Sequence, residues 1–360
     1  MKRLVFCLLA VAFGVEAAEY QLTTIASGLD APWGLAFPPA GGVLVTEQVG
    51  ALRYIASDGT VSEPIAGVPD VHYRSQGGLF DVLLHPEFAR NQILYLSYAA
   101  LPAGANATEV MRARWTDDGL VEKRVIFRVA PDKPTPVHYG GRMRFLADGT
   151  ILLTTGDGFD FRESAQNTSS LLGKTVRFND DGSIPEDNPF VNDPSAHPAV
   201  YSFGHRNPQG LVIDPVTQII YLNEHGPRGG DETNVIEPGA NYGWPAITYG
   251  MDYNGAYVSA FSEAPGMQQP LNYWVPSIAP SGLTIYRGSR FPQWDGDLFT
   301  GALVDAEVRR LDLQNGKVVD EEALFAELGA RIRDVRTHDG YLYVVTDGIG
   351  GKIVRVEPAP

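Results

Sequence analysis

Short apolar runs separated by polar turns recur along the whole chain, and patterns typical of long helices are scarce. The runs are rich in Val, Ile, Leu, Tyr and Thr, and 39 glycines and 26 prolines punctuate the sequence between them. Each unit has an apolar strand, a polar turn and a second strand. Such a pattern predicts an all-β protein with many tight turns.

The strand–turn–strand unit recurs about six times, at intervals of roughly 45 to 70 residues. The paired runs are 34–37 with 41–47, 79–84 with 93–98, 143–145 with 151–157, 209–215 with 219–224, 282–286 with 296–301, and 332–335 with 341–347. Repeats of this kind predict a six-bladed β-propeller, which we expect to form a single domain over residues 19–360. Unrelated strands of a β-sandwich are the alternative.

Ring closure and loop lengths give two further expectations. The run 20–25 is placed to complete the last blade beside 352–356, which would remove open sheet edges. Three longer segments, 102–106, 162–199 and 241–276, are expected to be insertions that shape a binding site.

The first eighteen residues have the pattern of a secretory signal peptide. Lys2 and Arg3 precede an apolar run over 4–15, and small residues follow where signal peptidase cleaves. A buried N-terminal helix is the alternative. We therefore expect a periplasmic or secreted protein that does not insert into a membrane. Its mature chain would lack the single cysteine, Cys7, and could form no disulfide.

The formal net charge of −15 restricts the class of partner. An acidic chain repels nucleic acid and anionic membrane surfaces. We therefore expect no nucleic-acid partner, and a cation or a neutral small molecule as ligand. The sequence leaves the oligomeric state open between a monomer and a homodimer.

Polar residues collect at the strand ends, which in a propeller meet at one mouth of the central channel. His138 precedes two glycines and is a candidate general base, and Asp157, at the end of the next strand, could orient its imidazole. Arg206 offers planar donors for a carboxylate or a quinone oxygen. A structural histidine and a surface ion pair are the alternatives.

Two other segments suggest ligands. The stretch 224–232 contains a Gly-Pro turn followed by acids, which can present carbonyl and carboxylate oxygens to a hard cation such as calcium. Arg331 and Arg333 lie on one face of a strand, because side chains alternate, and two adjacent cations favour a polyanionic ligand between them. A polar turn and solvated arginines are the alternatives. No Walker loop, Rossmann fingerprint or nucleophile elbow occurs in the sequence.

Together these segments resemble the soluble sugar dehydrogenases that depend on pyrroloquinoline quinone (PQQ), the glucose/sorbosone dehydrogenase family, and especially its aldose sugar dehydrogenase branch. The resemblance covers nearly the whole chain after residue 18. It is carried by residues 28–34, 76–79, 138–142, 156–157, 204–210, 224–232, 241–245 and 331–335.

The resemblance implies a six-bladed propeller with PQQ over the central channel. It implies oxidation of an aldose at C1 to the lactone, with electrons passed to an external acceptor. In this reaction His138 would take the proton of the C1 hydroxyl, Asp157 would orient His138, and Arg206 would stabilise charge on the reduced quinone.

The resemblance also implies a set of cofactor and metal ligands. The implied PQQ contacts are Gln76, Arg206, Asn207, Tyr253, Arg331 and Arg333. The implied calcium ligands are the carbonyls of Gly226 and Pro227 at a catalytic ion, and Glu232 and Tyr242 at a second, structural ion.

The sequence departs from the family pattern at several positions. Val304 stands where members often carry a lysine that contacts PQQ, which removes one cation from the implied cofactor site. His225 and Val137 stand where the glucose enzyme of the family has glutamine and aspartate, so substrate choice stays open. Two other functions also stay open. One is a calcium-dependent propeller lactonase or other hydrolase, and the other is a binding propeller without catalysis.

Overall fold

The computed structural model describes residues 18–101 and 105–360, which form almost only β-strands. All of the expected signal peptide except Ala18 lies outside the described residues, as does most of the segment 102–106. No helix in the described ranges is long and apolar enough to cross a membrane.

The described residues form twenty-three strands and four single-turn helices. In chain order the strands are β1 (Tyr20–Asp30), β2 (Pro32–Ala36), β3 (Val43–Glu47), β4 (Ala51–Ile55), β5 (Leu79–Leu84), β6 (Ile93–Ala99), β7 (Thr108–Thr116), β8 (Gly119–Arg128), β9 (Gly140–Phe145), β10 (Ile151–Thr155), β11 (Lys174–Phe178), β12 (Val200–Phe203), β13 (Pro208–Ile213), β14 (Ile220–Glu224), β15 (Asp231–Val235), β16 (Asn272–Trp274), β17 (Pro280–Ile285), β18 (Leu298–Ala302), β19 (Val308–Gln314), β20 (Lys317–Leu324), β21 (Ile332–His338), β22 (Tyr341–Thr346) and β23 (Ile349–Pro358). The helices are α1 (Phe88–Asn91) and three 3₁₀ turns, Arg162–Ala165, Pro292–Trp294 and Ala326–Leu328.

Six antiparallel sheets are arranged as the blades of a propeller. The sheet β2–β4 has three strands, and the other five have four: β5–β8, β9–β12, β13–β16, β17–β20, and β21–β22–β23–β1. The first strand of each blade contacts the first strand of the next, and β21 contacts β2. These contacts close a ring around a central channel, so the expected six-bladed propeller is confirmed.

The last blade combines both ends of the described chain. Strand β1 pairs with β23 in an antiparallel register that places Leu22 opposite Val356 and Thr24 opposite Val354. This closure was predicted from the sequence. The pairing covers the edge of β23 and joins the start of the described chain to its last blade.

The hydrophobic core lies between neighbouring blades. Val212 and Tyr221 of the fourth blade pack with Leu283, Ile285 and Leu298 of the fifth in one buried cluster. Because both faces of an inner strand are covered, such a strand is buried at every position instead of alternating, as in Ile151–Thr155.

Two segments that we expected to be insertions contain blade strands. Strand β11 lies within 162–199 and completes the third blade with β12, and β16 lies within 241–276 at the edge of the fourth blade. Strand β11 was missed because Lys174 and Arg177 interrupt its apolar pattern, although both side chains are buried. Strand β16 has only three residues and gives too short a pattern to recognise.

An ionic cluster fills the channel between three blades. Asp81 of β5, Arg142 of β9, and Asp334 and Arg336 of β21 are all buried there. The guanidinium of Arg142 lies 3.1 Å from Asp334 and 3.5 Å from Asp81, while Arg336 lies 2.8 and 2.9 Å from the same two carboxylates. Burial nevertheless raises the pKa of Asp334 to about 7. The cluster forms the floor on which the site described next is built.

Candidate active site

A cavity of about 420 Å³, called here the central cavity, lies at one mouth of the channel. Its lining comes from the segments that begin the innermost strands of all six blades, including Trp33, Gln76, Tyr139, Asn207, Ala279 and Arg333. Four of the predicted cofactor contacts line it: Gln76, Asn207, Arg331 and Arg333. A larger open groove of about 840 Å³ beside Tyr54 and Trp115 contains none of the predicted residues.

His138 and Asp157 form a buried pair between β9 and β10. The Nδ1 atom of His138 lies 2.6 Å from Oδ1 of Asp157. The backbone of His138 has a φ of +53°, which L-residues other than glycine rarely adopt. Its N–H donates to Oε1 of Gln76 at 2.8 Å, so the predicted cofactor contact Gln76 also fixes the backbone of the predicted base.

Asp157 accepts hydrogen bonds from three donors. Besides His138, they are the N–H of Phe159 at 2.7 Å and Nε1 of Trp244 at 2.8 Å. Burial alone would raise the pKa of Asp157, but these hydrogen bonds and the positive charge of Arg206 hold it below its ordinary value. An ionised carboxylate only accepts hydrogen bonds. The imidazole proton therefore resides on Nδ1, and Nε2 carries the lone pair.

The charge state of His138 follows from its surroundings. Burial lowers the pKa of its imidazole, and the hydrogen bond to Asp157 opposes that shift only in part. The side chain is therefore a neutral imidazole, fixed in direction by Asp157, over the range of pH where an unperturbed histidine begins to protonate. That is the form that can accept a proton.

Arg206 lies beside a second cavity of about 300 Å³, called here the side cavity. Its guanidinium donates to the carbonyls of His225, at 3.2 Å, and Gly226, and it lies 3.5 Å from the hydroxyl of Tyr253. The guanidinium also lies 5.3 Å from the centroid of the Trp244 ring. Thus Arg206 and Tyr253 share the side cavity, while the other four predicted cofactor contacts share the central one.

The two predicted arginines converge on a carboxylate of the chain itself. Nε of Arg331 lies 2.9 Å and Nε of Arg333 lies 3.0 Å from opposite oxygens of Asp347. Burial would raise the pKa of Asp347, but the two guanidinium groups hold it below its ordinary value. The negative charge of Asp347 therefore offsets part of the repulsion between the two arginines. That repulsion was the basis for predicting a polyanionic ligand. A net positive charge remains at the wall of the cavity.

Three of the four predicted calcium ligands line one ion-sized space of about 10 Å³, namely Gly226, Glu232 and Tyr242. Pro227 instead lines the side cavity. The hydroxyl of Tyr242 donates to the carbonyl of Val235 at 2.6 Å and accepts from the N–H of Glu237 at 2.8 Å, so one hydroxyl lone pair and the main-chain oxygen remain as ligands.

Glu224 lines the same ion-sized space and lies directly opposite Glu232 in the pairing of β14 with β15. Burial and the negative charge of Glu224 raise the pKa of Glu232 to about 8. Within 18–101 and 105–360, no group of three or more His, Cys, Asp or Glu side chains is placed to hold a metal ion. A cation here would therefore depend on carbonyl oxygens as well as carboxylates.

Sequence reasoning missed the supporting residues Glu224, Trp244 and Asp347. Their functions depend on partners that are distant in sequence, such as the N–H of Arg206 that donates to Glu224 at 2.6 Å. A signal was nevertheless present. The second strand of four blades ends in, or is followed within two residues by, an acidic residue, namely Glu47, Asp157, Glu224 and Asp347. This recurring position could have marked all four as residues that support the mouth of the channel.

The family model of the glucose/sorbosone dehydrogenases matches residues 29–355. The chain belongs to the glucose/sorbosone dehydrogenase family. Among its relatives, the aldose sugar dehydrogenase YliI of Escherichia coli is 41% identical, over 97% of this chain and 96% of that protein. The expected family, and with it the expected class of oxidoreductase, is confirmed.

Solved structures of aldose sugar dehydrogenases have the same fold. The apo form of the soluble aldose sugar dehydrogenase from Escherichia coli is 40% identical, covers 94% of this chain and 100% of its own, and gives a TM-score of 0.91. The PQQ-bound form of the aldose sugar dehydrogenase from Streptomyces coelicolor is 28% identical, covers 94% and 98% of the two chains, and gives a TM-score of 0.78.

Proposed function

We propose that this enzyme oxidises an aldose at C1 to the lactone, using PQQ and calcium, and passes the electrons to an external acceptor. The observation that carries the proposal is the buried His138–Asp157 pair, which Gln76 and the adjoining Tyr139 connect to a cavity whose wall bears Arg331 and Arg333. The pair suits abstraction of a hydroxyl proton, and the arginines suit an anionic cofactor. The family and the PQQ-bound relative support the same assignment.

The residues of the central cavity fit PQQ, which is planar and carries carboxylates. Arg331 and Arg333 would pair with carboxylates, since guanidinium groups bind them in two-point geometry. Asn207, which is buried, and Gln76 would provide amides at the same wall. When bound there, PQQ would supply the two-electron oxidant that the side chains themselves lack.

The residues around the two predicted ion sites fit calcium. Calcium binds six to eight oxygens, and carbonyls and carboxylates are both suitable. Gly226 and Pro227 would hold a catalytic ion, and a carbonyl has two lone pairs, so Gly226 can accept from Arg206 and still bind a cation. Glu232 and Tyr242 would hold the structural ion, which would offset the like charges of Glu232 and Glu224. When bound, the catalytic ion would act as a Lewis acid.

Side chains of the protein accept the proton and stabilise the charge that develops. Nε2 of His138 accepts the proton of the C1 hydroxyl, and Asp157 stabilises the imidazolium that results. Arg206 is held by Glu224 and by the carbonyls of residues 225 and 226, so its guanidinium is already oriented before substrate binds. Such preorganised charge stabilises a transition state at little reorganisation cost. Phe159 lies edge-on to the imidazole at 5.2 Å and covers one side of it.

Reconstitution tests the proposal. The chain from residue 19 is purified without cofactor, PQQ and calcium are added singly and together, and reduction of a dye is followed with a panel of aldoses. We expect activity only with both additions. His138→Ala is the matched variant and should bind PQQ without oxidising sugar. Calcium-dependent hydrolysis of lactones without PQQ, or near wild-type turnover in His138→Ala, would overturn the proposal.

We also propose that residues 1–18 direct export to the periplasm or the medium and are then removed. The acidic charge and the polar cavities suit a small-molecule sugar substrate and no nucleic-acid partner. Expression of the full chain in a Gram-negative host, followed by fractionation and mass spectrometry, tests the export. A mature protein that begins at residue 19 in the periplasm is expected. An intact chain in the cytoplasm contradicts it.

A further inference from the structure

Lys133 is a buried lysine that hydrogen-bonds the turn carrying the proposed catalytic base. Its side chain is almost fully buried, and within residues 18–101 and 105–360 its ammonium forms no ion pair with a carboxylate. Instead Nζ donates to the carbonyls of Thr135 at 2.7 Å and Val137 at 2.8 Å, and it lies 3.5 Å from the centroid of the Tyr139 ring. A lysine is rarely buried this completely without a carboxylate partner. Both hydrogen bonds of its ammonium therefore go to a single turn, the one that contains Thr135 and Val137.

That turn carries His138 in a strained conformation. Residue 138 has a φ of +53°, a conformation that costs free energy for a side chain other than glycine and persists only where neighbours enforce it. Gln76 holds the N–H of His138, and Lys133 holds the carbonyl of Val137, in the peptide group that joins Val137 to His138. Both polar atoms of this peptide are therefore fixed from opposite sides.

The same turn is tied to the residues that hold Asp157. The hydroxyl of Thr135 donates to the carbonyl of Gly158 at 2.6 Å, and Lys133 fixes the carbonyl of Thr135. The backbone of Lys133 itself forms two hydrogen bonds with Asn106, at 2.8 and 2.9 Å, which anchor the turn to a neighbouring blade. Lys133 therefore links the backbone of the base to the backbone of its carboxylate partner.

The positive charge of Lys133 also favours the neutral, proton-accepting form of His138. The positive charges of Arg206 and Lys133 both lower the pKa of His138, which burial already lowers, while Asp157 opposes them. Burial in turn lowers the pKa of Lys133 to about 7, and Asp157 is the carboxylate that counteracts this shift. Lys133 thus disfavours the imidazolium form, which could not accept a proton.

We propose that Lys133 is a positioning residue for His138, fixing the peptide between residues 137 and 138 and so the direction of the imidazole toward the substrate. The catalytic part of this inference rests on the proposed function, whereas the structural part does not. Lys133 lines neither the central nor the side cavity, and its ammonium is occupied by the carbonyls of Thr135 and Val137, so it acts through His138 rather than on a ligand.

The test compares Lys133→Met with wild type in three measurements. The pKa of His138 is measured by NMR on protein labelled at its histidines, with the resonance assigned by its absence in His138→Gln. We expect this pKa to rise in Lys133→Met, because a nearby cation is lost. With PQQ and calcium, kcat should fall about 10- to 100-fold, the range expected when a catalytic group is displaced by about 1 Å. KM and the Kd for PQQ should stay within about twofold of wild type, since Lys133 contacts neither ligand.

Lys174→Met is the matched control. Lys174 is equally buried and donates to three carbonyls, those of Ser164, Ala165 and Leu172, at 2.7 to 3.0 Å, but it does not touch the turn that carries His138. This variant should lower the melting temperature and leave both kcat and the pKa of His138 near wild type. A merely structural function for Lys133 would make the two variants behave alike.

The outcomes separate this inference from the proposed function. A folded Lys133→Met protein with unchanged kcat and an unchanged pKa of His138 would overturn the inference. If wild type oxidises no sugar with PQQ, the proposed function fails, and the NMR comparison still decides whether Lys133 controls His138. Should Lys133→Met not fold, Lys133→Gln keeps an N–H donor while removing the charge, and the same rise in the pKa of His138 is required of it.

Discussion

Oδ2 of Asp157 accepts a hydrogen bond from Nε1 of Trp244 at 2.8 Å, while Oδ1 of the same carboxylate lies 2.6 Å from His138. Asp157→Asn would leave one acceptor oxygen for three donors, and its amide N–H groups would face either Trp244 or His138. The imidazole would then lose its fixed tautomer. We expect kcat to fall about 100- to 10,000-fold, the usual contribution of an oriented general base. Steady-state kinetics with PQQ and calcium, at a temperature where the variant is shown to be folded, checks this prediction.

The pH dependence of sugar oxidation should reflect the lowered pKa of His138. The base is active when neutral, so kcat/KM should rise with pH through this pKa and then level off. Since burial lowers the pKa below the ordinary value of 6.5, the half-maximal point should lie below pH 6.5. A pH profile of kcat/KM for one aldose measures it directly. A midpoint clearly above 6.5 would show that another group controls the reaction.

Much of the fold could be predicted because each blade repeats a local pattern. Alternating strands and turns identified the inner strands of all six blades, and the complementary runs at 20–25 and 352–356 indicated the closure. Strand β11 could not be recognised in the same way. Its pattern contains Lys174 and Arg177, whose burial depends on carbonyls and carboxylates far along the chain. Only the assembled structure shows that these polar groups have partners.

The candidate site was predicted in part, for a similar reason. His138, Asp157 and the arginines lie at strand ends, where composition and spacing indicate chemistry. Asp347 was not predicted: its position at a strand end is a local signal, but the convergence of two guanidinium groups on it is seen only in the folded chain. The division of the predicted contacts between two cavities likewise depends on how the loops after β10 and β15 pack, which the sequence pattern does not specify.

Calcium dependence can be tested at Glu232, because Glu224 lies directly opposite it. In calcium-free protein at neutral pH, Glu232, with a pKa of about 8, holds a proton that the unfolded chain releases, so Glu232→Gln should raise the melting temperature by removing that cost. The same variant should lose the stabilisation by calcium, which for wild type is about 2.7 kcal/mol when calcium is at 100 times its Kd. Thermal unfolding with and without calcium measures both effects. Glu237→Gln, the same substitution at an exposed residue, should respond to calcium as wild type does.

The two arginines should contribute unequally to PQQ binding. The side chain of Arg331 is 54% exposed and that of Arg333 is 13% exposed, so solvent screens the charge of Arg331 more. Arg333→Ala should raise the Kd for PQQ about 30-fold or more, as expected when a buried charge pair loses one partner. Arg331→Ala should raise it about fivefold or less. Fluorescence titration of PQQ into both variants checks the order, and a larger effect at Arg331 would contradict it.

The ionic cluster beneath the cavity should be required for stability. Arg142 contacts both Asp81 and Asp334, and it also donates to the carbonyls of Gln209 at 2.7 Å and Arg333 at 3.3 Å. Removing one partner from a buried ionic group costs about 3–5 kcal/mol, a large part of the free energy of unfolding of a typical protein. Chemical denaturation of Arg142→Met should therefore show a loss in that range. Arg114→Met, which breaks an exposed ion pair, should cost about 1 kcal/mol or less.

The loss in Arg142→Met should also depend on pH. Asp334 has a pKa of about 7 in the folded protein and an ordinary value of 3.8, so the folded state binds its proton more tightly than the unfolded state. The stability from this proton is present at low pH and is lost as the pH rises toward 7. At pH 8 Asp334 is ionised and is stabilised by the positive charge of Arg142. At pH 5 Asp334 is protonated, so this charge stabilises it less. Denaturation at both values should therefore show a larger loss at pH 8, and an equal loss would mean that Arg142 acts through Asp81 and the carbonyls of Gln209 and Arg333 rather than through Asp334.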